Sequence, residues 1–302
     1  MALSEGFGFE ERWLRAVVRE VPKREDIFQS GQLGNAQYVL GGLGNCQVKA
    51  LRDWSRAMSL VEIGSQSKAC LTRLGSLLAE YDPSLEEDGT WWIIHAKLSF
   101  STDDIWFYSY YVNDFQATKF TRSDLRSGML AFRSDSASYI EKKCLFPLLH
   151  TMSATRLGNA FGVLRQLDRD VFERSEPEDV RLAASVVGFV ILDWMNARAR
   201  TTVGVEELMM PGRPGRWLGL SRRRMDRYLD VIQDAYNKAV LWVSRTAGLN
   251  SVATAPEVPP LALLRAYFIE LLEGADPVTA LELGVELERS GGSRDCLTSP
   301  PA

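Results

Sequence analysis

The sequence predicts a mainly α-helical protein, with winged-helix-like units and short β wings around an aromatic-rich helical core. Three observations predict it. Apolar residues recur at a spacing near 3.6 over most of the 302 residues. Twice, a helix-turn-helix pattern runs into short β-type segments joined by a small polar turn. Finally, Trp91, Trp92, Trp106, Phe107, Tyr108, Tyr110 and Tyr111 crowd two neighbouring helical stretches too densely for a solvent-facing surface.

The first clear helix covers Tyr38 and Val39. Gly41, Gly42 and Gly44 then interrupt it, and Val48, Leu51, Trp54 and Met58 resume the helical period with Asn45 as the expected N-cap. Leu60 to Ile63 and Ala69 to Thr72 read as two short strands around a polar turn, followed by a helix from Arg73 to Tyr81. After an acidic connection, the aromatic helices occupy Thr90 to Phe100 and Asp104 to Asn113. Thr121 and Asp124 mark a helix start, and Ala137 to Met152 reads as a further helix. Gly158 to Glu178 is expected as a charged connection and Val180 to Arg200 as a buried helix starting after Pro177. A Pro-Gly loop at 211–215, a helix from Ser221 through Val240 and a turn at 246–248 complete a second winged-helix-like unit. Ala255 to Pro260 reads as a linker, Leu261 to Glu273 as an amphipathic helix, and Ser290 to Ala302 as a disordered end.

Length and pattern together predict an N-terminal winged-helix-like and aromatic helical domain at 1–152. A C-terminal winged-helix-like domain at 153–254 and an acidic helical tail with a disordered end at 255–302 follow it. The charge is uneven. The formal net charge of −4 hides a tail from Ala255 that carries −5, so the rest of the chain is at +1. An acidic overall balance is therefore compatible with a basic nucleic-acid-binding face. No apolar run approaches the roughly 20 residues that span a bilayer. The start of the chain lacks the basic and apolar regions of a secretory signal, which predicts a cytoplasmic protein. Cys46, Cys70, Cys144 and Cys296 are scattered without a CxxC pair, which argues against a zinc ribbon or a disulfide framework.

Several segments in order, WLRAVV from Trp13, LGGLGNCQVKALRDWSRAMSLVE from Leu40, LTRLGSLLAEYDPSLEEDGTWWIIHAKLS from Leu71, FTRSDLR from Phe120, ILDWMNARARTTVGVEELMMPGRPGRWLGLS from Ile191 and LWVSRTAGL from Leu241, carry a resemblance. Over about residues 7 to 252 the chain resembles a bacterial family long catalogued as a domain of unknown function. That family includes the SspB-like components of Ssp-type DNA phosphorothioation systems. The resemblance implies a role in antiphage defence, in which sulfur replaces a non-bridging phosphate oxygen of DNA. It also implies double-stranded DNA, a cysteine desulfurase, an ATPase-like protein and an ATP-pyrophosphatase-like protein as partners, and DNA nicking as the activity. The His-Glu-Thr-Phe-like run usual before the Trp-Leu pair is replaced here by Gly6-Phe7-Gly8-Phe9, so no role tied to that histidine carries over.

Phosphodiester cleavage needs an activated nucleophile, a cation at phosphorus and a proton donor. The closest pattern is Asp124 or Asp135 followed by Glu141 and Lys143, an ExK arrangement that would hold Mg²⁺ or Mn²⁺ and orient water if the chain is a nuclease. This motif belongs on a strand, whereas Tyr139 to Leu149 reads as a helix. Asp103 and Asp104 and the core histidine His95 are the other candidates, and a helix cap for the aspartates and core packing for the histidine are the favoured readings. The DNA-binding candidates are better placed. Asn45, Gln47, Lys49, Arg52 and Arg56 fall on the start and exposed side of the second helix of the first unit, where a helix-turn-helix meets the major groove. Arg213, Arg216, Arg222, Arg223, Arg224 and Arg227 surround a loop and the following helix start. The expectation is thus a DNA-binding, nicking component, with a non-catalytic docking adaptor or a winged-helix transcriptional regulator as alternatives.

Overall fold

The computed structural model describes residues 4–29, 32–101, 105–158, 160–177, 181–246 and 249–290, and for Leu33 and Leu249 the backbone alone. It is mainly helical, with small antiparallel sheets. The described residues form two compact units, one ending at Ser175 and the other beginning at Glu176.

In the first unit, α1 (Glu11–Glu20) buries Trp13, Leu14, Val17 and Val18 on one stripe. Helices α2 (Leu33–Val39) and α3 (Asn45–Ala57) follow, with Gly41 and Gly42 between them at φ +93 and +80, a turn that side-chain-bearing residues adopt at a cost. The cap of α3 is Gly44, one residue earlier than expected, and Asn45 is the first helical residue. Strands β1 (Val61–Ile63) and β2 (Ala69–Leu71) pair antiparallel, Val61 opposite Leu71. Helix α4 (Arg73–Tyr81) is capped by the Thr72 hydroxyl, which accepts from the Gly75 amide at 2.9 Å. A Cβ on Gly75 would sit 2.1 Å from the Leu60 carbonyl oxygen, so α4 can lie against that strand only with glycine there.

Helix α5 (Asp88–Phe100) has ten of its thirteen residues buried, which makes it the central helix rather than a surface one. Together with α6 (Trp106–Asn113), wholly buried, it forms the aromatic core that the sequence predicts. Trp54 meets Phe9 and Phe107 edge-on at 5.0 and 5.8 Å, and Trp92 stacks on Phe161 at 4.8 Å. The Trp54 indole N–H donates to the Phe7 carbonyl at 2.8 Å, satisfying its one polar atom in the interior.

Next come β3 (Lys119–Thr121) and α7 (Arg122–Phe132), whose start carries a reciprocal cap: the Asp124 carboxylate accepts from the Thr121 amide at 2.8 Å and the Thr121 hydroxyl from the Asp124 amide at 3.1 Å. Helix α8 (Ala137–Tyr139) passes through a π-helical turn, Ile140–Leu145, into α9 (Phe146–Ala154). The segment expected as a connection contains a hairpin, β4 (Arg165–Asp168) and β5 (Val171–Glu173), with β5 paired to β3. That pairing, and the Tyr111 hydroxyl donating to the Val163 carbonyl at 2.6 Å, tie this hairpin segment to the first compact unit.

The second unit opens on α10 (Ala184–Asn196), buried on nearly all sides. Strand β6 (Thr202–Gly204), α11 (Val205–Leu208), α12 (Pro214–Trp217), α13 (Arg222–Ala235) and a hairpin of β7 (Leu241–Thr246) and β8 (Leu249–Thr254) follow. The sheet order is β6-β8-β7, the same plan as β3-β5-β4: the early strand pairs with the last strand of the hairpin. Finally α14 (Pro260–Glu273) and α15 (Pro277–Ser290) form a helical pair. The stretch expected as an acidic tail contributes buried residues to this unit. Leu263, Leu264, Phe268 and Ile269 are buried, a Leu263 methyl would lie 2.8 Å from a Cβ on Gly188 of α10, and the helix completes this unit's core. The expected disordered end lies outside the described residues from Gly291 onward.

Candidate nucleic-acid interface

In the first unit, Asn45, Lys49, Arg52 and Arg56 recur at spacings of four, three and four along α3, which places them on one face. Lys49 and Arg56 are exposed. Arg52 is half-buried and its guanidinium lies 2.9 Å from the buried Asp53 carboxylate, so part of its charge is spent balancing a carboxylate that has little access to water. Gln47 turns back to accept from the Gly44 amide at 2.8 Å and serves as a cap. The Asn45 carbonyl oxygen accepts from Gln37 at 2.7 Å, which orients its amide. Helical spacing alone did not flag Tyr38, at the end of α2, which is 87% exposed although in the sequence it reads as part of an apolar stripe.

In the second unit, the six arginines divide by environment. Arg213 lies over the Trp194 ring at 5.2 Å, beside Arg198 and Arg200 over the same ring, and near Glu207 at 3.8 Å. Burial and the neighbouring Arg213 and Arg200 lower the pKa of Arg198, and hydrogen bonding from Arg200 lowers that of Glu207. This knot is structural in character. Arg216 is half-buried. Arg222 pairs with Glu206 and with Asp226 one turn on at 3.0 Å. Arg224, only 16% exposed, donates to the Pro177 carbonyl and faces Glu176 at 3.6 Å. Arg223 and Arg227, one turn apart, are exposed. With Ser221, Arg224, Glu176 and Pro177 they line an open recess of about 540 Å³ at the first turn of α13, where backbone N–H groups also point outward.

The catalytic candidates are dispersed in their roles. Glu141 is clasped by Arg122, whose Nε lies at 3.1 Å, and by Arg126 at 3.4 Å. It sits in the π-helical turn, on no strand, so the ExK assignment lacks the context its chemistry needs. Lys143 donates to the Glu5 carbonyl at 2.8 Å and thereby fastens the N-terminal segment. Asp135 lies 3.5 Å from Arg133 and raises, after burial, the pKa of Cys144, which is pushed up to about 12; that thiol stays protonated. His95 is buried in the aromatic core, its Nδ1 2.7 Å from the Tyr108 hydroxyl, and burial pushes the Tyr108 pKa well up. Asp103 and Asp104 lie outside the described residues. Among the described residues, no group of three or more His, Cys, Asp or Glu side chains is arranged to hold a metal ion, and a Glu141 already neutralised by two guanidiniums does not fit Mg²⁺ or Mn²⁺. Cys46, Cys70 and Cys144 take part in no disulfide among the described residues.

These features define a mainly helical protein with cationic helix faces next to small β-hairpins. Residues 2–146 match the family described as "Protein of unknown function (DUF4007)". The chain is similar in fold to a magnesium ion-bound SspB crystal structure, at a TM-score of 0.71 and 18% identity over 94% of this chain and 96% of that one. It is likewise similar to a second SspB crystal structure, at 0.67 and 18% over 97% and 89%. The SspB-like resemblance expected from the sequence is thus shown as a shared fold across the chain, with the family match over its first part. No curated protein matches the chain in sequence. No helix among the described residues is long and apolar enough to cross a membrane.

Proposed function

We propose that this chain is the DNA-binding component of an Ssp-type phosphorothioation defence system. In this account the units β3 to β5 and β6 to β8 act as winged helices, as does the α2–α3 pair with its β1–β2 hairpin. The observation that carries the reading is the recess at the start of α13, where Arg223 and Arg227 face solvent beside outward-pointing backbone amides. Phosphate groups suit such a surface because two guanidiniums supply charge and paired donors. On α3, Lys49 and Arg56 would neutralise phosphates while the amide of Asn45 reaches base edges. The SspB fold supports assignment to the system, with a desulfurase and the ATP-using proteins as its partners.

Between nicking and docking, the described residues favour docking. Glu141, Lys143, Asp135 and His95 are each engaged in a structural contact, and no step of hydrolysis is derivable from them. Purified protein incubated with supercoiled plasmid and Mg²⁺ or Mn²⁺ decides between the two. The docking reading expects retarded supercoiled DNA and no relaxed product. Relaxed circles at a rate above the protein-free control would establish nicking, and unretarded plasmid would remove DNA binding altogether. A transcriptional regulator would instead bind one promoter far more tightly than plasmid DNA at large.

A further inference from the structure

The DNA account uses α3 and α13 and leaves aside the helix that holds the same place in the β3-β5-β4 plan, namely α8, the π-helical turn and α9. Its outward stripe is Ser138, Lys142, Phe146, His150 and Ser153, with no carboxylate among them. Phe146 is 49% exposed, although most of the aromatic residues of this unit are packed inside. Phe132 is exposed to a similar degree, but its ring is covered by Trp106 and Tyr110 at 6.1 and 4.7 Å. The aromatic ring that Phe146 meets among the described residues is the imidazole of His150, stacked at 6.0 Å with an interplanar angle of 26°.

The N-terminal segment backs this helix close to His150. Gly8 of the N-terminal segment runs so close that a Cβ there would lie 2.6 Å from the Pro147 carbonyl, 2.7 Å from the Thr151 hydroxyl and 2.9 Å from His150 Nδ1. The Phe9 amide donates to the Thr151 hydroxyl at 3.2 Å, and Lys143 fastens the same segment at Glu5. His150 Nδ1 is buried without a hydrogen-bond partner among the described residues, so packing rather than hydrogen bonding fixes the imidazole. The π-helical turn immediately before Phe146 is a local departure of the kind that recurs at functional positions.

We propose that Phe146 and His150, with Lys142 one turn before them, form a stacking platform for an unpaired nucleobase of single-stranded DNA. A planar aromatic pair offers a π-face to any base, and the ammonium of Lys142 on the same stripe meets the adjoining phosphate. Duplex DNA has its bases stacked inside and cannot use such a platform, so the site serves a strand that has been opened, nicked or gapped. A protein partner would be expected to meet a larger apolar patch than one ring. This proposal rests on the nucleic-acid reading above and adds to it a preference for unpaired strand at one place.

The test measures binding of the full chain to a labelled oligothymidylate of about 20 nucleotides and to a blunt duplex of about the same length, by fluorescence anisotropy. The variants are Phe146→Ala, Phe146→Leu and Phe146→Trp. Alanine and leucine should each weaken oligothymidylate binding roughly fivefold to a hundredfold, from the usual range for one stacked base, while duplex binding changes less than about twofold. Tryptophan should restore affinity, and its emission should be quenched on binding the oligonucleotide but not the duplex. Leucine keeps the apolar bulk at this exposed site, so it guards against a folding defect in the alanine variant. If wild type binds duplex but the leucine variant retains oligothymidylate affinity, the platform is refuted and the duplex account stands. Equal losses on both DNAs also refute it. If wild type binds neither DNA, both fall together.

Discussion

Removing the Arg222, Arg223 and Arg224 charges one at a time separates cations that are available to DNA from cations that are already used. Three available arginines at the start of α13 would each release counterions on binding, so the triple alanine variant would lower the slope of log affinity against log salt by about 2.7. The structure predicts a smaller change. Arg222 is matched by Glu206 and Asp226, and Arg224 is 16% exposed against Pro177 and Glu176, which leaves Arg223 as the exposed charge of the three. The expected loss of slope is therefore about 0.9, nearly all of it from Arg223→Ala alone. In affinity terms, raising salt from roughly 50 to 200 mM should weaken wild type about 3.5-fold more than Arg223→Ala. Arg222→Ala should leave the slope nearly unchanged and cost about half a kcal/mol of stability, as befits a partly exposed ion pair. Anisotropy titrations of a labelled duplex at four or more salt concentrations give these slopes directly. Equal slope losses from Arg222→Ala and Arg223→Ala, or no loss from Arg223→Ala, would refute the division by environment.

Three other perturbations follow from the same structure. Truncation after Thr254 removes Leu263, Leu264, Phe268 and Ile269 from the core of the second unit; at about 1.5–3 kcal/mol each this approaches the whole stability of a domain, so the truncated protein should lack near-ultraviolet circular dichroism from that unit. Burial raises the Glu270 pKa above its ordinary 4.5, while the Tyr236 hydroxyl donates to it at 2.5 Å. The folded state then binds the proton more tightly than the unfolded one, so this group's contribution to stability falls as pH rises from about 4.5 through the raised pKa, and urea unfolding of Glu270→Gln should lose that part of the pH dependence. Glu141→Gln should leave any plasmid nicking unchanged, since the carboxylate serves Arg122 and Arg126; loss of nicking with DNA binding intact would return Glu141 to a catalytic role.

Much of the helical framework was legible in the sequence because its signals are local. The Thr121–Asp124 cap, the glycine break before α3 and the aromatic density of α5 and α6 each act over a few residues and survive in the structure. The β4–β5 hairpin was not legible. Its β4 residues Arg165, Gln166, Leu167 and Asp168 are all exposed, so no alternation of buried and exposed side chains marks the strand, and the hairpin is anchored by β5, which pairs with β3 over forty residues away. The acidic C-terminal stretch misled for a related reason. Net charge counts the carboxylates of α14 and α15, while the buried leucines that join α14 to α10 carry no charge to count.

The candidate site was legible in composition and much less so in geometry. Which residues are basic follows from the sequence; which of them are occupied depends on tertiary neighbours. Gln47 becomes a cap, Arg52 balances the buried Asp53, and Arg213 joins the Trp194 knot, none of which spacing along one helix can reveal. Tyr38 and Phe146 show the reverse case. Tyr38 reads as part of an apolar stripe and Phe146 carries no signal of its own within the helix expected from Ala137 to Met152, yet both rings are at the surface. Structural use of a charge and structural exposure of a ring are therefore the two facts that reorder the candidate list.

Amide hydrogen exchange on the full chain, with and without a saturating duplex, tests the central claim most directly. Added protection is expected along the first turns of α3, from Asn45, and of α13, from Arg222, with the buried α5 unchanged. Protection absent from both helix starts, or confined to the acidic surface of α15, would contradict the account.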